Sequence, residues 1–103
     1  MSTGLSNGLA LPHARIAGVA APLVVVGLSQ FGIDFDSPDG RPVRVVVLLV
    51  TAPDDHETHL QLVADVARVF QGPHVTDQAA AALNATEFVA TLNTQPPPRE
   101  AVA

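Results

Sequence analysis

The sequence predicts an α/β sandwich, and three observations carry that expectation. Two short apolar blocks rich in β-branched residues, at 22–29 and 43–50, have the composition of strands. A run with helical spacing of apolar residues follows at 55–71. Clusters of Pro, Gly, Asp and Asn punctuate these blocks, as turns require. At 103 residues the chain suits one domain, expected over 1–94, with a tail at 95–103.

Taken in order, the segment from Gly4 to His13 has two glycines around a polar tip, then a short apolar run ended by Pro12. It reads as a turn leading into a brief strand. Residues 22–29 are apolar at nearly every position, the pattern of a central strand covered on both faces. Turn formers fill 36–42, and Val43 to Val50 repeats the buried-strand pattern. Beyond Pro53 the period changes. Leu60, Val63, Ala64, Val66, Ala67 and Phe70 recur at helical spacing, while Gln61, Asp65 and Arg68 fall on the other side. Asp54 or Asp55 can cap this helix, and Gly72-Pro73 ends it. Residues 75–83 are Ala-rich and helix-prone, and a last short helix over 86–92 follows a cap at Asn84 or Thr86. The three consecutive prolines after Gln95 predict an extended, mobile tail.

Composition excludes several function classes. The formal charge is −5, Lys is absent, and the five arginines are scattered. Such a surface repels phosphate backbones, and with no Trp or Tyr the usual base-stacking platforms are missing. Nucleic acid is therefore not an expected partner. No apolar run approaches the ~20 residues of a membrane helix, so no membrane-embedded part is expected. Met1 to Gly4 has neither the basic flank nor the apolar core of an export signal, which leaves a cytoplasmic location as the expectation. Without Cys there is no disulfide, thiolate metal site or cysteine nucleophile, which leaves His, Ser, Thr and carboxylates as reactive groups.

Of the four histidines, His13 follows Pro12 at the end of an apolar run, where the ring is presented at a strand end. A histidine so placed serves either chemistry or a structural hydrogen bond. His56 and His59 lie three residues apart at the start of the expected helix, on neighbouring parts of one face. That pair would suit a small metal-binding protein, although the zincin pattern needs a four-residue spacing. His74 sits in a turn and reads as solvated. Acidic residues Asp54, Asp55 and Glu57 in a first helical turn favour the helix without any further role.

The stretch from Ser2 to Arg15, with Ser2-Thr3-Gly4 followed by Leu9-Ala10-Leu11-Pro12-His13, resembles the active-site signature of type-2 enzyme IIA domains of the sugar phosphotransferase system, the fructose, mannitol and nitrogen-regulatory group. Downstream, Ile33-Asp34-Phe35, Pro38-Asp39-Gly40-Arg41-Pro42-Val43 and His59-Leu60-Gln61-Leu62 follow the family in order and spacing, so the similarity covers residues 2 to about 92. The resemblance implies a mixed β-sheet sandwiched by α-helices. It also implies a phosphoryl relay in which His13 accepts the group from the phosphocarrier protein HPr, or its nitrogen-branch relative, and passes it to a cysteine of a IIB domain. His59 maps onto the second histidine, which would hydrogen-bond the phosphoryl oxygens. Arg15 is a candidate for added positive charge at the phosphoryl group, no metal is implied, and no cofactor is required.

Physical chemistry agrees with such roles. A neutral imidazole is a good nucleophile near pH 7, and free amides at a helix N-terminus favour a dianion. The family pattern also contains elements ahead of the Ser-Thr-Gly stretch, normally a helix, a strand and further helices, with an arginine just upstream that assists transfer. Their absence here reads as an N-terminally truncated domain. A shortened sheet predicts an open strand edge and an uncovered apolar face, hence self-association or docking on a partner. A shortened domain acting as a regulatory interaction module is the alternative to a sugar-transport component.

Overall fold

In a computed structural model of the chain, residues 7–72 and 74–93 are described. The Ser2-Thr3-Gly4 stretch, Pro73 and the tail expected at 95–103 lie outside them. The elements run β1 (Leu9–Ala10), β2 (His13–Arg15), β3 (Leu23–Ile33), β4 (Val43–Thr51), α1 (His56–Val69), α2 (Val75–Ala80) and α3 (Ala85–Asn93).

β4 is the central strand. On one side it pairs in parallel with β1 and β2, and on the other it pairs antiparallel with β3, so the sheet is mixed. β1 and β2 behave as one interrupted strand: Leu9 lies opposite Val45 and His13 opposite Leu49, the same offset on both sides of the break. Pro12 causes the interruption because it has no N–H to donate. Its carbonyl still accepts from the Leu49 N–H at 3.0 Å, which keeps the register.

Strand alternation sorts this sheet into two faces. Val43, Val45, Val47 and Leu49 are at most 2% exposed, and Leu9 and Leu11 join Val45, Val47 and Leu49 in the core. Against this row pack Phe70, Val75, Ala79 and Ala80, with Leu62, Val63, Val66, Phe88 and Leu92 at its margin. All three helices therefore lie over the face that carries the odd-numbered residues of β4. α1 begins where the Asp55 carboxylate accepts from the Thr58 N–H at 3.2 Å. α3 begins where the Asn84 side chain accepts from the Glu87 N–H at 2.9 Å.

Two expectations need correction. β3, read as a central strand covered on both faces, is an edge strand among the described residues, and Leu23, Val24, Val25 and Phe31 are 49–89% exposed. An apolar β-branched run reports that a strand is favourable; it does not report how many neighbours the strand has. β3 also runs on past Ser29 to Ile33 through a register shift after Leu28. Gly32 is required in that shift: its φ is +90°, and a Cβ there would meet the Pro42 Cβ at 2.5 Å. In α1 the buried stripe is rotated from the expected one. Leu60 is 66% exposed while Leu62 packs on the core, and Ala64 and Ala67 face outward. Gln61, Asp65 and Arg68 do lie on the solvent side, where Asp65 accepts from both of the others.

Candidate functional site

Two rows of side chains lead to the same end of the domain. Along the strand, Leu9 and Leu11 are buried in the core and His13, next on that face, is exposed. Along α1, the positions Phe70, Val66, Val63 and Leu62 pack on the sheet, and His59 continues that stripe one turn toward the N-terminus. Each apolar row thus ends in a histidine where the core meets solvent. The two rings meet edge to face, with centroids 5.0 Å apart and planes at 90°.

Parity explains why the neighbours of this pair are what they are. Arg15 is two residues beyond His13 and lies opposite Thr51 in the ladder, so both share the helix-facing side with the histidines. The Arg15 guanidinium donates through Nη2 to the carbonyls of Ala52 and Pro53, each at 3.1 Å, and Nε lies 3.4 Å from the Ala52 oxygen. Its donors are thus engaged with the segment that joins β4 to α1. The Ile16 N–H donates to the Thr51 carbonyl at 2.9 Å and extends the ladder past β2. Thr51 is 1% exposed, and its Oγ1 lies 3.3 Å from His59 Nδ1. No sequence-level feature had singled Thr51 out. The available signal was its position, polar and two residues beyond Leu49 on the buried row of β4.

Electrostatics hold His59 toward its neutral form. Its pKa is lowered from the ordinary 6.5, first by burial, then by the positive charge of Arg15, with smaller contributions from His13 and His56. His56 is exposed at the first position of α1 and acts on His59 only through charge. His74 is exposed ahead of α2, as a solvated turn residue would be. Among the described residues no three or more His, Asp or Glu side chains are grouped to hold a metal ion. No helix among them is long and apolar enough to cross a membrane.

Chemically, the arrangement offers an exposed imidazole for nucleophilic attack beside a second imidazole able to donate an N–H. The Arg15 guanidinium is near enough to His59 for its charge to act on that ring. Comparisons with known proteins give the family. The family model for the phosphoenolpyruvate-dependent sugar phosphotransferase system, EIIA 2, matches residues 1–95. A nitrogen regulatory protein of Pseudomonas aeruginosa is 35% identical over 81 residues, covering 79% of this chain and 53% of that protein. The fructose-specific EIIABC component of Bacillus subtilis is 28% identical over 92 residues, covering 89% of this chain and 14% of that protein. Among solved structures, the nitrogen regulatory protein IIA-Ntr of Neisseria meningitidis superposes with a TM-score of 0.79 at 31% identity, covering 88% of this chain and 62% of that one. IIA mannitol of Escherichia coli shares the fold at 19% identity, with a TM-score of 0.73, covering 89% of this chain and 65% of that one. The chain spans about half the length of the nitrogen regulatory relative and far less of the fructose-specific one. With a match running over nearly its whole length, the chain belongs to the EIIA type-2 family of the phosphoenolpyruvate-dependent sugar phosphotransferase system.

Proposed function

We propose that the chain is a phosphoryl carrier, taking the group onto His13 from a phosphohistidine of an HPr-like protein and passing it to a downstream acceptor. The observation that carries this reading is the edge-on approach of the His13 and His59 rings at 5.0 Å, with His13 exposed to an incoming protein. In the step itself, the lone pair of a His13 ring nitrogen attacks the donor phosphorus. One N–P bond forms as the donor's N–P bond breaks, and the donor imidazole leaves with the electron pair. Nothing is oxidised or reduced. Such a transfer depends on placement and charge compensation more than on acid–base work. His59 supplies an N–H to the phosphoryl oxygens, and Arg15 adds positive charge while fixing the segment between β4 and α1.

Discharge to a cysteine of a IIB domain makes this a component of sugar uptake acting in the cytoplasm. A second reading keeps the same chemistry and ends it on a regulated protein. The 35% identity to a nitrogen regulatory protein favours it. The test is incubation with phosphoenolpyruvate, enzyme I and HPr. Acid-labile label on the wild-type chain and none on His13→Ala is the expected result; an unlabelled wild type, or label surviving in His13→Ala, rejects the carrier role. Adding a purified IIB domain then separates the two readings, since only the transport component discharges to its cysteine.

A further inference from the structure

His59 has a second partner, and the chemistry of a hydroxyl beside a neutral imidazole limits what that partner does. Thr51 is held from three directions: its backbone lies in the ladder opposite Arg15, its carbonyl accepts from Ile16, and its side chain is buried. A β-branched side chain in a strand has few rotamers, so Oγ1 stays where the ladder places it, 3.3 Å from Nδ1 of His59. A neutral imidazole carries one N–H and one lone pair. If the Thr51 hydroxyl donates to Nδ1, the ring proton sits on Nε2. If Nδ1 donates to Thr51, Nε2 bears a lone pair. Phosphoryl oxygens only accept, so a lone pair turned toward them is repulsive, and an N–H is a hydrogen bond. The surroundings disfavour the doubly protonated ring, because burial and the neighbouring positive charge of Arg15 both oppose it.

We propose that Thr51 is a positioning residue: its hydroxyl donates to Nδ1 of His59, fixes the ring proton on Nε2, and so presents an N–H donor to a phosphoryl group carried by His13. The role and the choice of tautomer rest on the phosphoryl-carrier reading, whereas the measurement of the tautomer does not. The experiment is therefore in two parts, on the full chain and its Thr51→Val and Thr51→Ser variants. Long-range 1H–15N correlation of 15N-histidine protein reads the His59 tautomer directly. The wild type and Thr51→Ser show Nε2–H, and Thr51→Val shows a mixture of tautomers. Transfer from phospho-HPr falls about tenfold in Thr51→Val, the factor carried by one ordinary hydrogen bond, and returns to within about threefold in Thr51→Ser. A wild-type ring protonated on Nδ1 overturns the proposal, and that spectrum decides even if the valine variant does not fold. A valine variant with the wild-type tautomer and rate overturns it as well. If the wild type shows Nε2–H yet takes no label, the carrier reading falls and the role falls with it, while the Thr51 hydrogen bond stands.

Discussion

Replacing Arg15 by methionine keeps the apolar stem and removes every donor, so it isolates what the guanidinium does for the segment between β4 and α1. Two carbonyls lose a charged donor: Ala52, which receives both Nη2 at 3.1 Å and Nε at 3.4 Å and keeps the Asp55 N–H at 3.2 Å, and Pro53, which receives Nη2 at 3.1 Å. A hydrogen bond from a charged donor contributes roughly 1.5–3 kcal/mol. The Ala52 contact is part-buried and belongs at the low end of that range. The Pro53 contact is exposed and is discounted for solvent screening to about 0.5 kcal/mol. Together they give ~2 kcal/mol, which is about 30-fold in a local opening equilibrium. The opening is local, because the core row from Leu9 to Leu49 does not involve Arg15. Amide exchange is thus expected to accelerate about 30-fold at Asp55, whose N–H donates to Ala52, and at Thr58, whose N–H is held by the Asp55 carboxylate. Global stability in urea falls by the same ~2 kcal/mol, because the locally opened and the unfolded states both already lack these contacts. In the same variant the pKa of His59 rises toward 6.5, since one of the charges that lowered it is gone, but stays below 6.5 because burial, the larger cause, remains. Exchange within threefold of wild type, with an unchanged His59 titration, would falsify the view of Arg15 as the clamp of this site.

Two other outcomes follow from the fold. Gly32→Ala is expected to lose about 2 kcal/mol or more, combining a residue at φ +90° with a Cβ driven onto the Pro42 ring at 2.5 Å. Gly40→Ala, at φ +71° with open space around it, loses only the backbone part, and equal urea midpoints for the two variants would contradict the packing argument. On the acid side, the unfolded chain takes up the His59 proton at a higher pH than the folded chain does. Stability therefore falls as pH drops from 6.5 through the lowered folded value, then levels off, and it shows no His59 contribution above 6.5. Urea midpoints measured between pH 7.5 and 5 on wild type and on His59→Gln test this; parallel curves through that window would show that the ring's surroundings do not oppose its charge.

Much of the fold was legible because the two strongest local signals were also the tertiary ones. The run from Val43 to Val50 is apolar at every position except Arg44 and became the central strand. The capping residues Asp55 and Asn84 mark helix starts that the structure uses. What local pattern does not contain is the number of neighbours an element acquires. Residues 22–29 carry the same signal as 43–50, yet one block lies at the edge and the other at the centre. The same holds for the face of α1. Periodicity counted apolar residues and placed Leu60 inward, whereas the face in contact with the sheet is set by Leu62, Val63, Val66 and Phe70, and His59 extends it. The motif pointed to His13 and His59, but their separation in sequence says nothing of the 5.0 Å between their rings. Thr51 escaped notice because its importance comes from what stands across from it.

The unbroken offset on either side of Pro12 has a consequence for how this protein can tolerate changes in length. Remove one residue between Leu11 and His13, or add one, and every side chain beyond the break moves to the reverse of the sheet. The imidazole would then look away from α1, and Arg15 would part from the carbonyls it grips. An insertion of two residues leaves the orientation intact and only slides the ring along β4, by roughly 6.6 Å. Indels in this short bridge are therefore sorted by whether they are odd or even, and only the even class keeps both histidines on a common side.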